Sequence, residues 1–272
     1  MHSPPKASWT IRIVCAAAVF AAIAGAFIGS GAMGGTPIAE AADGSLGADS
    51  TLLAPGTGAF SIWSLVYLGL VVYAIWQLTP RAARSDTQRR IRPLAAGSAV
   101  LNALWIGVVQ VGWLGASVVV MLLLLAVLAR IFMLMRPHIE HPAERWIMAL
   151  TFGPYLGWVS VATVANIAAW LAARGVGDGA EWATPLACVL AVVAALIGAM
   201  TVVYSGGRIA AALAMVWGIA WIGVGRGDGG LESMPVSVTA YSAATALLLF
   251  ALVAAARRRV YPAATSASEV AA

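Results

Sequence analysis

Eight apolar runs, each near the roughly 20 residues that carry a helix across a bilayer, decide what this chain can become. They occupy residues 11–33, 60–78, 93–112, 116–135, 146–173, 184–204, 209–224 and 236–256, the seventh being the shortest. A segment in hydrocarbon must satisfy its own backbone groups, so each run is expected to be a helix. With 61% hydrophobic and only 10% charged residues the chain lies far from water-soluble domains. The expected fold class is therefore an all-α integral membrane protein.

The basic residues test this count. With the amino end inside, one side of the membrane holds Lys6, Arg12, Arg81, Arg84, Arg89, Arg90, Arg92, Arg130, Arg136, Arg145, Arg208 and Arg257, Arg258 and Arg259. The other side holds only Arg174 and Arg226. Arginine and lysine concentrate in cytoplasmic segments, so both termini are expected in the cytoplasm, and a missed span would reverse the last three arginines. The expected compartment is the bacterial cytoplasmic membrane. This scatter between apolar runs also argues against nucleic acid as a partner, despite a net charge of +5. The first run follows Lys6 and Arg12 and precedes Ala39-Glu40-Ala41, as a signal peptide would. It is long for a signal core and far from that cleavage pattern, so a retained span is the expectation.

The chain's 11 acidic residues and three histidines all fall outside the eight runs. That removes the intramembrane carboxylates of proton-coupled pumps and the donor sets of metal sites. Cys15 and Cys188 sit singly inside apolar runs and read as structural thiols.

Aromatic rings and amides remain. In the fifth run Tyr155, Trp158, Ala162 and Asn166 recur at spacings of three and four, which places them on one helix face. An amide in hydrocarbon needs a partner, so Asn166 should look inward. Trp63 and Tyr67 in the second run, and Asn102 and Trp105 in the third, reach overlapping depth. Together they outline a pocket in the outer half of the bundle, beneath the polar 34–58 loop. Helix-bonding amides and packed core tyrosines account for the same pattern equally well. Gly25 and Gly29 form a small-xxx-small pair, and such faces also suit homo-oligomers.

Three stretches resemble the tryptophan-rich sensory protein and translocator protein family (TspO/MBR). They are Phe60-Ser-Ile-Trp63-Ser-Leu-Val-Tyr67, Leu101-Asn102-Ala-Leu-Trp105, and Pro154-Tyr155-Leu-Gly-Trp158-Val-Ser-Val-Ala162-Thr-Val-Ala-Asn166. They fall in the second, third and fifth runs, so the resemblance covers residues 11–173. It implies a TspO-like five-helix domain over 1–173. The last three apolar runs lie outside the resemblance and are expected to form a three-helix extension over 174–260, and the short, polar, Ala/Ser-rich end is expected to be a disordered cytoplasmic tail over 261–272. The resemblance also implies a pocket for a hydrophobic ligand, a porphyrin above all, lined by Trp63, Tyr67, Asn102, Trp105, Tyr155, Trp158, Ala162 and Asn166. The chain departs from the family pattern in its first loop, which has no tryptophan, and in Leu171-Ala172-Ala173-Arg174, which lacks the tyrosine of the sterol motif.

The leading expectation is a membrane protein that binds or senses a hydrophobic ligand, most simply a tetrapyrrole. The alternatives are a transporter of a small hydrophobic or amphipathic solute and a ligand-free membrane scaffold. Enzymatic tetrapyrrole breakdown is implied by resemblance only, and no firm cofactor follows from the residues.

Overall fold

The structure, a computed structural model, describes residues 8–31, 35–135, 139, 141–177, 179–227 and 231–260. The 261–272 tail lies outside the described residues. Among those described, the regular structure is entirely helical: α1 (Trp9–Gly29), α2 (Ile62–Trp76, preceded by a 3-10 turn at Thr57–Ser61), α3 (Pro80–Arg84), α4 (Asp86–Gln110), α5 (Leu114–Leu134), α6 (Pro142–Ala172), α7 (Ala183–Tyr204), α8 (Ala210–Gly225) and α9 (Met234–Val260).

Local chemistry sets the boundaries. Ser8, Thr79 and Ser85 cap α1, α3 and α4, their hydroxyls accepting from the N–H of Ile11, Ala82 and Gln88 at 3.3 Å each. Between α4 and α5 the chain reverses at Gly112, whose φ of +74° suits glycine. Trp113 N–H bonds Val108 O and Gly112 N–H bonds Val109 O, both at 2.9 Å, which closes a Schellman motif.

Two helix starts depart most from expectation. The third run begins as helix at Asp86 rather than residue 93, and the fifth at Pro142 rather than 146. Asp86 and Glu144 therefore lie in first helical turns, where an acid meets the positive end of the helix dipole, rather than in connections. Glu144 is buried and accepts from Ser85 Oγ at 2.8 Å and Gln88 Nε2 at 2.9 Å.

Among the described residues, seven helices are long and apolar enough to cross a membrane: α1, the 3-10 turn with α2, α4, α5, α6, α7 and α9. The eighth run folds as α8, whose 16 residues rise about 24 Å. It is shorter than a free-standing span but is surrounded by α6, α7 and α9. The outward faces carry residues such as Leu68, Leu122, Leu196 and Met200, all exposed and apolar, which a bilayer solvates and water does not. This is an integral membrane protein.

Side-chain contacts gather alternate helix ends together. At one end Arg12 donates to Leu78 O at 2.8 Å and Arg208 to Met135 O at 2.7 Å. At the other, Gln110 donates to Gly29 O at 2.7 Å and Ser237 to Gly223 O at 2.9 Å. The first set of contacts marks an arginine-rich end and the second a loop-covered end.

α6 is the axis of the structure. In its apolar window 67% of residues are buried, against at most 44% in the other spans. On one side it joins α1, α2, α4 and α5 around a core that includes Tyr73, Leu124, Phe152 and Tyr155. On the other it meets α8, and with it α7 and α9, around Met215, Ile219 and Leu247. The α6–α8 crossing is a backbone contact: a Cβ added at Gly157 would lie 2.1 Å from Ala211 O and 2.9 Å from Ala214 Cβ. Small residues permit that approach, which lipid-embedded helices use in place of a hydrophobic driving force.

Candidate functional site

Toward the loop-covered end, α2, α4 and α6 turn their aromatic residues to one another. Trp63 stacks on Tyr67 with centroids 5.4 Å apart and meets Tyr155 and Trp158 edge-on at 5.9 and 6.4 Å. Phe60 adds an edge contact to Trp158 at 5.9 Å, and Phe27 of α1 closes on Tyr67 at 5.6 Å. Such offset and edge arrangements stabilise by about 0.5–1.5 kcal/mol each beyond area burial.

The eight expected residues divide into two groups. Trp63, Trp105, Trp158 and Ala162 wall a cavity of about 40 Å³, together with Phe60, Met121 and the loop residues Leu46, Ser50, Ala54 and Pro55. Among the described residues, none that lines it is charged. Tyr67, Asn102, Tyr155 and Asn166 stand outside that lining and are spent largely on each other and on the helices. Asn102 Nδ2 donates to Tyr67 Oη at 3.1 Å, and Tyr155 Oη donates to Ser98 O at 3.0 Å. Asn166 bridges three helices: its Oδ1 accepts from Trp105 Nε1 at 3.2 Å, and its Nδ2 donates to Ser117 Oγ at 3.0 Å. The amide thus finds its partners on α4 and α5, as a polar group in hydrocarbon must. Ser98 and Ser117 were not expected from the sequence. Each is a single hydroxyl in an apolar run, and only its partner distinguishes it.

Two polar atoms of the group have no partner among the described residues: Trp158 Nε1 and Asn102 Oδ1, on side chains that are each 2% exposed. Leaving a buried donor or acceptor unpaired costs about 1–3 kcal/mol.

The loop over the cavity is held by α8. Arg226, at the end of that helix, is almost fully buried and donates to Ala48 O, Ala54 O and Leu231 O. Burial lowers its pKa, while Asp49 acts in the opposite direction. Gly56 N–H bonds Trp221 O at 2.9 Å, and Trp217 Nε1 donates to Ala59 O at 3.1 Å. The Trp221 ring lies so close to Gly58 that a Cβ there would fall 2.2 Å from Cη2. Trp105 and Trp221 each open a Trp-Ile-Gly-Val sequence, and the second of these is the one that reaches the lid.

These features define a helical membrane protein with a small apolar, aromatic cavity inside its bundle and a loop latched across it. The chain belongs to the TSPO-like protein family, whose family model matches residues 6–253. The match passes residue 173, where the three motifs stop, and takes in α7, α8 and most of α9. No curated protein and no solved structure matches the chain.

Proposed function

We propose that this protein binds a hydrophobic small molecule, with a tetrapyrrole as the first candidate, in the aromatic site beneath the 35–58 lid. The observation that carries the reading is Trp158: its side chain walls the cavity, and its indole N–H is buried with no partner among the described residues, beside rings that suit a flat ligand. A ligand acceptor there would recover the cost of burying that donor. Membership of the TSPO-like family supports the same reading. The cavity of about 40 Å³ is far below the roughly 300–1,000 Å³ of small-molecule sites. Uptake of a macrocycle therefore requires the lid to lift and the rings of Trp63 and Trp158 to part.

Binding is favoured over transport by the opposite end of the bundle. There the fully buried Tyr73 and Phe152 pack edge-on at 5.0 Å, and Tyr73 Oη donates to Gln88 Oε1 at 3.0 Å. The arginine-rich end is assigned to the cytoplasm by the positive-inside rule, with both termini there and the lid facing outward in a bacterial cytoplasmic membrane.

The test is titration of detergent-solubilised protein with protoporphyrin IX, followed by tryptophan quenching, in the parent, Trp158→Phe and Asn102→Leu. The expected result is saturable binding that weakens about tenfold in Trp158→Phe, or about 1.4 kcal/mol. Equal and non-saturating quenching in all three would sink the tetrapyrrole reading.

A further inference from the structure

Between α2 and the apolar part of α4, residues 81–92 carry Arg81, Arg84, Arg89, Arg90 and Arg92 against a single acid, Asp86. Burial divides these arginines into two kinds. Arg92 is 1% exposed and donates to Ala82 O at 3.2 Å, which ties α3 to α4. From α1, Arg12 donates to Leu78 O at 2.8 Å and to Thr79 O at 3.3 Å, which ties the entry to α3 onto the bundle. Ala82 and Ala83 are buried, while Arg81 and Arg84 beside them on α3 are exposed, as are Arg89 and Arg90 in the first turns of α4. Two inward-held arginines thus brace a corner from which four others face out. Among the described residues Arg89 alone of those four has an ion pair, with Asp86, and that pair is itself exposed.

Charge and depth together select what this corner meets. α2 ends at Trp76, and its last turns still show Val72 and Ile75 to the outside; Ile13, next to Arg12, is exposed as well. Acyl chains solvate such surfaces, so the corner stands where hydrocarbon gives way to headgroups. The anion present at that depth is the lipid phosphodiester. A guanidinium pairs with phosphate oxygens through two parallel N–H bonds, and each arginine beside a span raises affinity for an anionic lipid surface roughly fivefold. We infer that the α3–α4 corner is a docking site for anionic phospholipid, with the phosphodiester against Arg81, Arg84, Arg89 and Arg90 and the acyl chains along Val72 and Ile75. A zwitterionic lipid brings its own cation to the same place and gains less. The inference is independent of the tetrapyrrole reading and of which way the bundle faces.

The test is native mass spectrometry of the full-length protein in a neutral detergent, titrated with dioleoyl phosphatidylglycerol and separately with dioleoyl phosphatidylcholine. Ammonium acetate at about 0.15 M screens charges more than about 8 Å apart, so a local site is read rather than the field of the whole end. The expected result is that phosphatidylglycerol binds roughly fivefold tighter or more. Arg81→Gln with Arg84→Gln, and Arg89→Gln with Arg90→Gln, change only exposed side chains. Each pair should weaken phosphatidylglycerol roughly tenfold, or about 1.4 kcal/mol, at unchanged thermal stability. Arg130→Gln with Arg257→Gln removes the same charge from exposed positions on α5 and α9 and should change the affinity by no more than about twofold. Equal affinity for the two lipids would overturn the choice of an anionic head. Equal weakening in the α5–α9 pair would overturn the location. Competition by glycerol 3-phosphate or by soluble polyglutamate, at the phosphate or carboxylate concentration of the lipid, would overturn the lipid assignment in favour of free phosphate or an acidic protein.

Discussion

Gly157→Ala tests whether α8 is built onto α6 as closely as described. The new methyl carbon would fall 2.1 Å from Ala211 O, whereas a carbon meets a carbonyl oxygen at about 3.3 Å. The helices would have to part by about 1.2 Å at this crossing. No flexible side chain is available to yield there, because the struck atom is backbone. Overpacking of this kind costs about 1–3 kcal/mol, and a rigid backbone contact belongs at the upper end. For a chain of this size each kcal/mol moves the midpoint by about 2–4 °C, so a fall of about 6–12 °C is expected. The assay is thermal unfolding in detergent followed by far-ultraviolet circular dichroism, with Gly107→Ala as the matched control. Gly107 lies within α4 with nothing within 4 Å of an added Cβ, so alanine there should be neutral or stabilising by up to about 1 kcal/mol. If Gly157→Ala melts with the parent while the control behaves as stated, the α6–α8 contact is not the one described.

Asn166→Leu strips Trp105 Nε1 of its acceptor and Ser117 of its donor, and should destabilise by about 1–3 kcal/mol; a double-mutant cycle with Ser117→Ala should show the losses to be non-additive. Arg226→Gln releases Ala48, Ala54 and Leu231, so glutamyl endopeptidase should cut at Glu40 several-fold faster while the far-ultraviolet spectrum stays unchanged. At the arginine-rich end Glu144→Ala leaves Ser85 Oγ without its acceptor and Gln88 Nε2 with only the weak acceptor Met148 Sδ. Its expected effect is a loss of about 1–3 kcal/mol in detergent unfolding, with protoporphyrin affinity unchanged.

Run length is a one-dimensional quantity, and it located most of the long helices to within a few residues. The misplaced starts at Asp86 and Pro142 have a physical cause. Caps and first-turn acids extend a helix beyond its apolar part, so hydropathy ends before the helix does. Spacing on α6 put Tyr155, Trp158, Ala162 and Asn166 on one face, but it could not say which side chains meet a cavity and which meet a neighbour. Asn166 pairs with Ser117 across 49 residues of chain, and Arg226 reaches Ala48 across 178. No local pattern encodes partners so far apart. Cavity size was equally hidden, because it depends on how the rings of Trp63, Tyr67 and Trp158 settle against each other.

The lid is synthesised early and latched late. Residues 35–58 leave the ribosome after one helix, yet their anchors, Trp217, Trp221 and Arg226, follow only after α7 has been made. During biogenesis the first five long helices can assemble while the loop above them still lacks its fastening. A chain truncated after α6 should therefore resemble a nascent intermediate, with its bundle formed and its mouth unsealed. Insertion of α8 is then the event that shuts the site, and a translocation defect in the last three helices would be felt first in a loop made long before them.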